Sequence, residues 1–223
     1  MIFRKIFILT GLLWVLVSCS SDKESEEDAI MMETEEEIVA TTSIPDPAFE
    51  QLLIDLGFDD TLDGKVETGN IEGVVNLFAE NSAISDLTGI NAFKNLEGLY
   101  VENNLLSILD LSSNIKLKFI FANGNQLTSL NLSNLTILEK LDIDSNQLTM
   151  LDISSNPSLQ LLSIANNELE AIDISTILDV VQLNDFAIEN NPLNCIKVNQ
   201  DQLDNIPSQW TKDTEDTYSL DCE

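Results

Sequence analysis

The chain has 223 residues, 39 of them acidic and 10 basic, for a formal net charge of −29, and it contains no histidine. A polyanion of this strength is repelled by phosphate, and nucleic-acid binding is driven by lysine and arginine, so nucleic acid is excluded as a partner. The missing imidazole removes Ser-His-Asp and Cys-His catalysis and nearly all zinc sites, and the charge suits basic proteins, neutral glycans or divalent cations instead.

Arg4 and Lys5 followed by an apolar run from Ile6 to Val17, broken only by Thr10 and Gly11, predict a secretory signal over residues 1–18. A run of twelve is too short to span a bilayer. The next phrase, Leu16-Val17-Ser18-Cys19, resembles the lipobox of bacterial lipoproteins. That resemblance implies that Cys19 becomes the lipidated first residue of the mature chain, anchored to a membrane by more than one acyl chain without spanning it. Removing residues 1–18 takes away two basic residues and no acidic one, which carries the net charge from −29 to −31. With Cys19 carrying lipid, only Cys195 and Cys222 remain, close together at the end of an exported chain, and they are expected to form a disulfide. Closing that loop is worth about 3–4 kcal/mol in the chain-entropy model.

Residues 19–43 hold the lipidated cysteine and then nine acidic residues, one lysine, and no glycine, proline or aromatic, which predicts a disordered, self-repelling tether. Ser20-Ser21-Asp22-Lys23-Glu24 resembles the short acidic export signals of surface lipoproteins in Bacteroidetes-type bacteria, and serine directly after the cysteine argues by resemblance against retention in the inner membrane. Folded structure is expected from Ile44, with residues 44–73 as an N-terminal cap. Asp46-Pro47 supplies a helix N-cap and first-position proline, Phe49, Leu52, Leu53 and Leu56 an apolar stripe, and Gly57 a stop. The loop from Asp59 to Gly64 partly resembles a calcium loop, with oxygen ligands at its first, third and fifth places. The twelfth-place glutamate is replaced by Asn70, so a plain Asp-Gly turn is preferred, no metal site is assigned, and calcium binding there stays open.

Asn104, Asn125, Asn146 and Asn167 fall 21 residues apart, each in a phrase of the form LxxLxIxxNxLxxLDIS. A period of 20–29 residues with leucines and asparagine at fixed offsets marks a leucine-rich-repeat solenoid, each coil adding one short strand to a parallel sheet on the concave face. Coils are expected over residues 74–95, 96–116, 117–137 and 138–158, with a fifth from Leu159; the repeats occupy 74–182, and 183–223 form a last irregular coil and a disulfide-closed C-terminal cap. Leu99, Val101, Leu106 and Leu109 point inward, as do Ile120, Ala122, Leu127 and Leu130 one coil later. The four asparagines are expected to be a structural ladder bonding backbone groups of adjacent coils. A second phrase, Leu109-Asp110-Leu111-Ser112 and its copies from Leu130, Leu151 and Ile172, predicts another extended segment on the far side. Its Asp110, Asp152 and Asp173 suit local backbone bonding better than cations.

Side chains alternate along a strand, so the residues flanking the inward leucine face the open side. Down the stack they read Phe78, Tyr100, Phe121, Asp142, Ser163 and Ala187, and two places further on Glu80, Glu102, Asn123, Asp144, Ala165 and Glu189. Phe119 and Leu161 add a third, apolar column. The candidate ligand-binding residues are Phe78, Tyr100, Phe121, Glu80, Glu102 and Asp144. Glu80 and Glu102 face each other about 4.8 Å apart, where like charges destabilise unless something positive binds. Exposed aromatics beside carboxylates suit a protein bearing lysine or arginine, or a sugar stacked on the rings.

The stretch from Ile44 to Cys222 is similar to the 21-residue leucine-rich-repeat surface lipoproteins of Bacteroidetes-type bacteria. The similarity lies in Ile44-Pro45-Asp46-Pro47-Ala48-Phe49-Glu50, the repeats, Asn194-Cys195-Ile196-Lys197-Val198, Trp210 and Tyr218-Ser219-Leu220-Asp221-Cys222. Residues 84–90, Ile-Ser-Asp-Leu-Thr-Gly-Ile, also resemble coils of internalin-type adhesins. The resemblance implies a non-enzymatic binding or adhesion protein of the cell envelope without a cofactor. The expectation is therefore an outer-membrane lipoprotein, exposed at the cell surface, that binds a protein partner on its concave face. The alternatives are glycan capture beside a polysaccharide uptake system, and a purely structural spacer.

Overall fold

The structure, a computed structural model, describes residues 39–177 and 182–222. The signal segment, Cys19 and the acidic stretch as far as residue 38 lie outside the described residues. Order begins earlier than Ile44. Strand β1 (Thr41–Ser43) belongs to the cap, not to the tether. It waits on a partner far along the chain, which is why local composition did not show it. Helix α1 (Pro47–Asp55) comes next, and then strand β2 (Lys65–Glu67), on which β1 pairs antiparallel with Thr42 opposite Val66.

Helix α1 starts as its sequence dictates. One Asp46 carboxylate oxygen accepts from the N–H groups of Ala48 and Phe49, while Phe49 and Leu53 are fully buried. The other Asp46 oxygen accepts from the Ser85 N–H, the Ser85 hydroxyl and the Asp86 N–H, which fastens the cap to the first coil. Burial alone would raise this carboxyl, but hydrogen bonds from Ser85, Phe49 and Asp86 outweigh it and hold the pKa below the ordinary 3.8. Buried Glu50 plays a similar part for the Asp59–Gly64 loop, accepting from the N–H groups of Asp63, Gly64 and Lys65. A protein carboxylate thus organises the turn at Gly64, where φ is 83°. Gly89, at φ 104°, lets β1 lie close against the first coil, since an added Cβ would meet the Ser43 carbonyl at 2.8 Å.

After the short helix α2 (Thr68–Ile71) come β3 (Asn76–Phe78), a 3-10 turn (Ile90–Ala92), β4 (Gly98–Tyr100), β5 (Phe119–Phe121), β6 (Lys140–Asp142), β7 (Leu161–Ser163), β8 (Ala171–Asp173), β9 (Asp185–Ala187), β10 (Cys195–Lys197), α3 (Gln200–Asp204) and β11 (Tyr218–Ser219). Strands β3, β4, β5, β6, β7 and β9 make one six-stranded parallel sheet in that order. The register sets Leu77, Leu99, Ile120, Leu141, Leu162 and Phe186 side by side, all with 0% exposure, as the spine of the core. No single coil can bury such a face alone, and stacking neighbours supplies the other half.

The asparagines form the expected ladder. Asn125 donates to the carbonyls of Val101 and Ala122 and accepts from the Leu106 N–H; Asn146 repeats this with Ala122, Ile143 and Leu127, and Asn104, Asn167 and Asn191 do likewise. The residue just before each one, Asn103, Gly124, Ser145, Asn166 or Asn190, turns the chain at φ between 54° and 69°. Asparagine and glycine tolerate that left-handed region best, which accounts for their frequency at this place.

On the far side the extended segment is less regular than expected. Of the four copies only the fifth coil's makes a strand, β8, which joins β10 and β11 in a second parallel sheet. In the earlier copies Asp110, Asn131 and Asp152 each accept the N–H two residues on, at Ser112, Ser133 and Ser154, as Asp173 does from Ser175. A second column of buried amides runs here: Asn114 donates to Ile90 and Phe93 carbonyls, Asn156 to Leu132 and Leu135, and Gln202 to Ile174 and Ile177. Leu135 interrupts the column, so its 21-residue period is broken in sequence.

The C-terminal cap closes both sheets. Cys195 and Cys222 are disulfide-bonded, as expected, beside β10 and β11. Trp210 stands edge-on to Phe186 and donates its indole N–H to the Leu183 carbonyl at 2.8 Å. Thr211 then bridges Ala187, its N–H donating to Phe186 and its carbonyl accepting from Ile188, so the last strand of the main sheet is covered.

Candidate functional site

The open face of the main sheet carries the columns derived from the repeat register. Strand pairing sets Phe78 beside Tyr100, Tyr100 beside Phe121, Phe121 beside Asp142 and Asp142 beside Ser163. The three aromatic rings stack along the solenoid axis. Phe78 and Tyr100 have centroids 4.7 Å apart with planes 19° from parallel, and Tyr100 and Phe121 are 5.3 Å apart and 5° from parallel. Both faces of Tyr100 are therefore occupied, one by each phenylalanine. Phe78, at the end of the stack, is 54% exposed.

One glycine makes the stack possible. At Gly98 a Cβ would meet a Tyr100 ring carbon at 2.9 Å, so the ring leans into space that any other residue would fill. The sequence offered a signal for this: glycine stands alone in a column otherwise read Asn76, Phe119, Lys140, Leu161 and Asp185. In that column Lys140 sits over the Phe119 ring, its ammonium 5.8 Å from the centroid. Next to it Lys118 and Glu97 form an ion pair at 2.8 Å.

The carboxylates do not all have the same freedom. Glu102 is half-buried, and its Oε2 is enclosed without a hydrogen-bond partner. Burial, then the negative charges of Glu80 and Asp142, push its pKa above the ordinary value. Asp142 is raised by burial and by Asp144. Asp144 is also raised, by burial and then by Glu189, although the Ser163 hydroxyl and the Ala165 N–H both donate to it. Asp144 is thus engaged in holding the next coil, whereas Glu80 makes no side-chain hydrogen bond among the described residues and Glu102 holds an enclosed oxygen without a donor. The face is an aromatic stack beside a strip of carboxyls that form no ion pair among the described residues.

Among the described residues no three His, Cys, Asp or Glu side chains are placed to hold a metal ion, and no helix is long and apolar enough to cross a membrane.

Comparison with known proteins places the architecture. No protein-family model matches the chain, and no curated protein does. Among solved structures the functional domain of InlJ from Listeria monocytogenes, which includes a cysteine ladder, is 30% identical with a TM-score of 0.62, over 72% of this chain and 38% of that one. An internalin C2 from the same organism is 20% identical with a TM-score of 0.47, over 80% of this chain and 98% of that one. The leucine-rich-repeat ectodomain of the plant receptor kinase GASSHO1/SCHENGEN3 from Arabidopsis thaliana, in complex with CASPARIAN STRIP INTEGRITY FACTOR 2, is 22% identical with a TM-score of 0.53, over 69% of this chain and 19% of that one. The chain is a leucine-rich-repeat solenoid. Its solved neighbours include internalin-type proteins, and it spans less than half the length of the InlJ domain.

Proposed function

We propose that this chain is a non-enzymatic binding protein that holds a protein partner on the open face of its sheet, and that lipid at Cys19 anchors it at the cell surface. The observation that carries the binding assignment is the Phe78, Tyr100 and Phe121 stack, beside carboxyls that form no ion pair among the described residues. The solved neighbours support the same general role: internalins, and a receptor ectodomain in complex with another factor. The anchor rests on the Leu16–Cys19 phrase alone.

The arrangement of the rings bears on the choice between protein and glycan. A sugar packs its C–H groups on an open ring face, and in this stack the faces of Tyr100 are already taken. Apart from the outer faces of its two terminal rings, the stack presents ring edges, and with carboxyls alongside this suits the mixed apolar and cationic side chains of a protein partner better than a pyranose.

The test is the triple variant Phe78→Ala, Tyr100→Ala, Phe121→Ala, compared with the wild-type chain on protein and glycan arrays. Wild type is expected to give protein hits that the variant loses while melting at nearly the same temperature. Glycan hits from wild type, or protein hits that survive in the variant, would refute the assignment. Protease treatment of intact cells tests the location: loss of the protein supports surface exposure, and survival contradicts it.

A further inference from the structure

The main sheet is closed at one end and open at the other. At the C-terminal end Thr211 covers β9. At the N-terminal end no described strand pairs with the free side of β3. The bonding pattern says which groups that leaves. The Val75 carbonyl accepts from the Gly98 N–H and the Ala79 N–H donates to the Tyr100 carbonyl, so the odd-numbered residues of this segment face β4. By the alternation of a parallel ladder, Asn76 and Phe78 turn their N–H and C=O groups the other way, into the open edge. Both residues are exposed, and neither backbone is bonded to the cap among the described residues.

The aromatic stack is open at the same place. Tyr100 covers one face of Phe78, and the other faces away from the stack, on the side of the free edge. Two residues further along the same face is Glu80, followed across the sheet by Glu102 with its unpartnered oxygen. An unpaired strand edge, a free ring face and the Glu80 carboxyl thus lie on one line, with Glu102 one strand further in. A strand laid beside β3 would carry side chains at every second residue, about 6.6–6.8 Å apart, which is the spacing from Phe78 to Glu80. Backbone bonds would supply affinity and the alternate side chains specificity.

We propose that the β3 edge is a strand-addition site for an extended, cationic segment of a protein partner, with one arginine or lysine on the free face of Phe78 and the next against Glu80. Charge complementarity selects this occupant. A guanidinium stacks on an aromatic face and pairs with a carboxylate, and its charge would offset the repulsion between Glu80 and Glu102. A second copy of the chain, at a net charge of −29, would meet repulsion at the same edge. This inference rests on the protein-binding assignment above and narrows it to one edge and one partner chemistry.

The probe is an acetylated, amidated octapeptide of alternating arginine and valine, titrated against the purified full chain. Two derivatives carry N-methyl groups on either the arginine or the valine amides, and a glutamate–valine octapeptide is the charge control. Only one alternate set of amides can face β3, so methylating that set should weaken binding at least tenfold while methylating the other leaves it nearly unchanged. Amide hydrogen exchange at Asn76 and Phe78 should slow on binding, and exchange at β6 and β7 should not.

Equal binding by both methylated peptides, equal binding by the glutamate peptide, or no saturable binding below roughly 1 mM would overturn the proposal. The two assignments fail in different ways. If Tyr100→Ala with Phe121→Ala abolishes binding while neither methylation matters, the open face binds without the edge. If binding to the arginine peptide survives those substitutions and Phe78→Ala as well, the face itself is not the site.

Discussion

The asparagine ladder makes a quantitative prediction about coupling between coils. Inside the array an inward carbonyl at the bend accepts from two asparagines, its own coil's and the next one's: Ala122 accepts from Asn125 at 3.0 Å and from Asn146 at 3.1 Å, and Ile143 accepts from Asn146 and Asn167, both at 3.0 Å. The amide oxygens of Asn125 and Asn146, in contrast, are each the sole side-chain acceptor for one backbone donor in the preceding coil, Leu106 N–H for Asn125 at 3.0 Å and Leu127 N–H for Asn146 at 2.9 Å. Asn146→Ala therefore strands one buried N–H and leaves every carbonyl with a donor, for a cost of about 2 kcal/mol. Asn125→Ala should cost about the same. The double variant strips both donors from the Ala122 carbonyl as well, so it should exceed the sum of the singles by about 1–2 kcal/mol. Asn104 and Asn146 share no carbonyl, and their double variant should be additive within about 0.5 kcal/mol. Urea unfolding followed by circular dichroism, at equal slope and with the disulfide intact, measures both cycles. A coupling in the Asn125–Asn146 cycle no larger than in the Asn104–Asn146 cycle would refute the shared-carbonyl account.

Three further outcomes follow from the site and the C-terminal cap. Asp142 is raised by burial and by Asp144, so the folded state holds its proton more tightly than the unfolded chain and stability is lost as pH rises above the ordinary 3.8. Asp142→Asn should accordingly raise the melting temperature at pH 7 and change nothing well below pH 3.8, and a gain that persists in acid would contradict the electrostatic cause. Tyr218 has a buried hydroxyl without a partner, pushed up to about 12 by burial and by Asp216 and Glu189, so Tyr218→Phe should leave stability unchanged or raise it by up to about 1 kcal/mol in urea unfolding. Cys222→Ser should lower stability by about 3–4 kcal/mol and speed amide exchange first in β10 and β11, where the disulfide sits, and exchange that rises first in β3 would show that the clamp acts elsewhere.

Much of this molecule is legible in its sequence because a repeat is a ruler. Once Asn104, Asn125, Asn146 and Asn167 set the register, the outward neighbours of each inward leucine could be named, and strand pairing puts Phe78, Tyr100 and Phe121 where that ruler put them. The ruler fails where spacing is broken or partners are distant. Leu135 hides the second amide column by interrupting Asn114 and Asn156. Strand β1 has no local signature because what orders it is Lys65–Glu67, in a different part of the cap. Nothing in the local sequence marks Glu50 as buried, and only the folded loop reveals it as the acceptor for three N–H groups.

The amino-acid sequence by itself determined the solenoid, its period, the inward leucines and the membership of each outward column, since these follow from side-chain alternation at a fixed repeat. What only the tertiary structure decided is how the members of a column treat one another. Three aromatics in a column could have lain flat as separate platforms. Gly98 leaves the space that lets Tyr100 lean between Phe78 and Phe121, and the rings spend their faces on each other. The carboxyl column likewise divides into Asp144, held by Ser163 and Ala165, and Glu102, whose enclosed oxygen has no donor. The physical reason is that stacking, burial and hydrogen-bond satisfaction depend on neighbours 21 or more residues away, whose positions are set by the coil and not by the local chain.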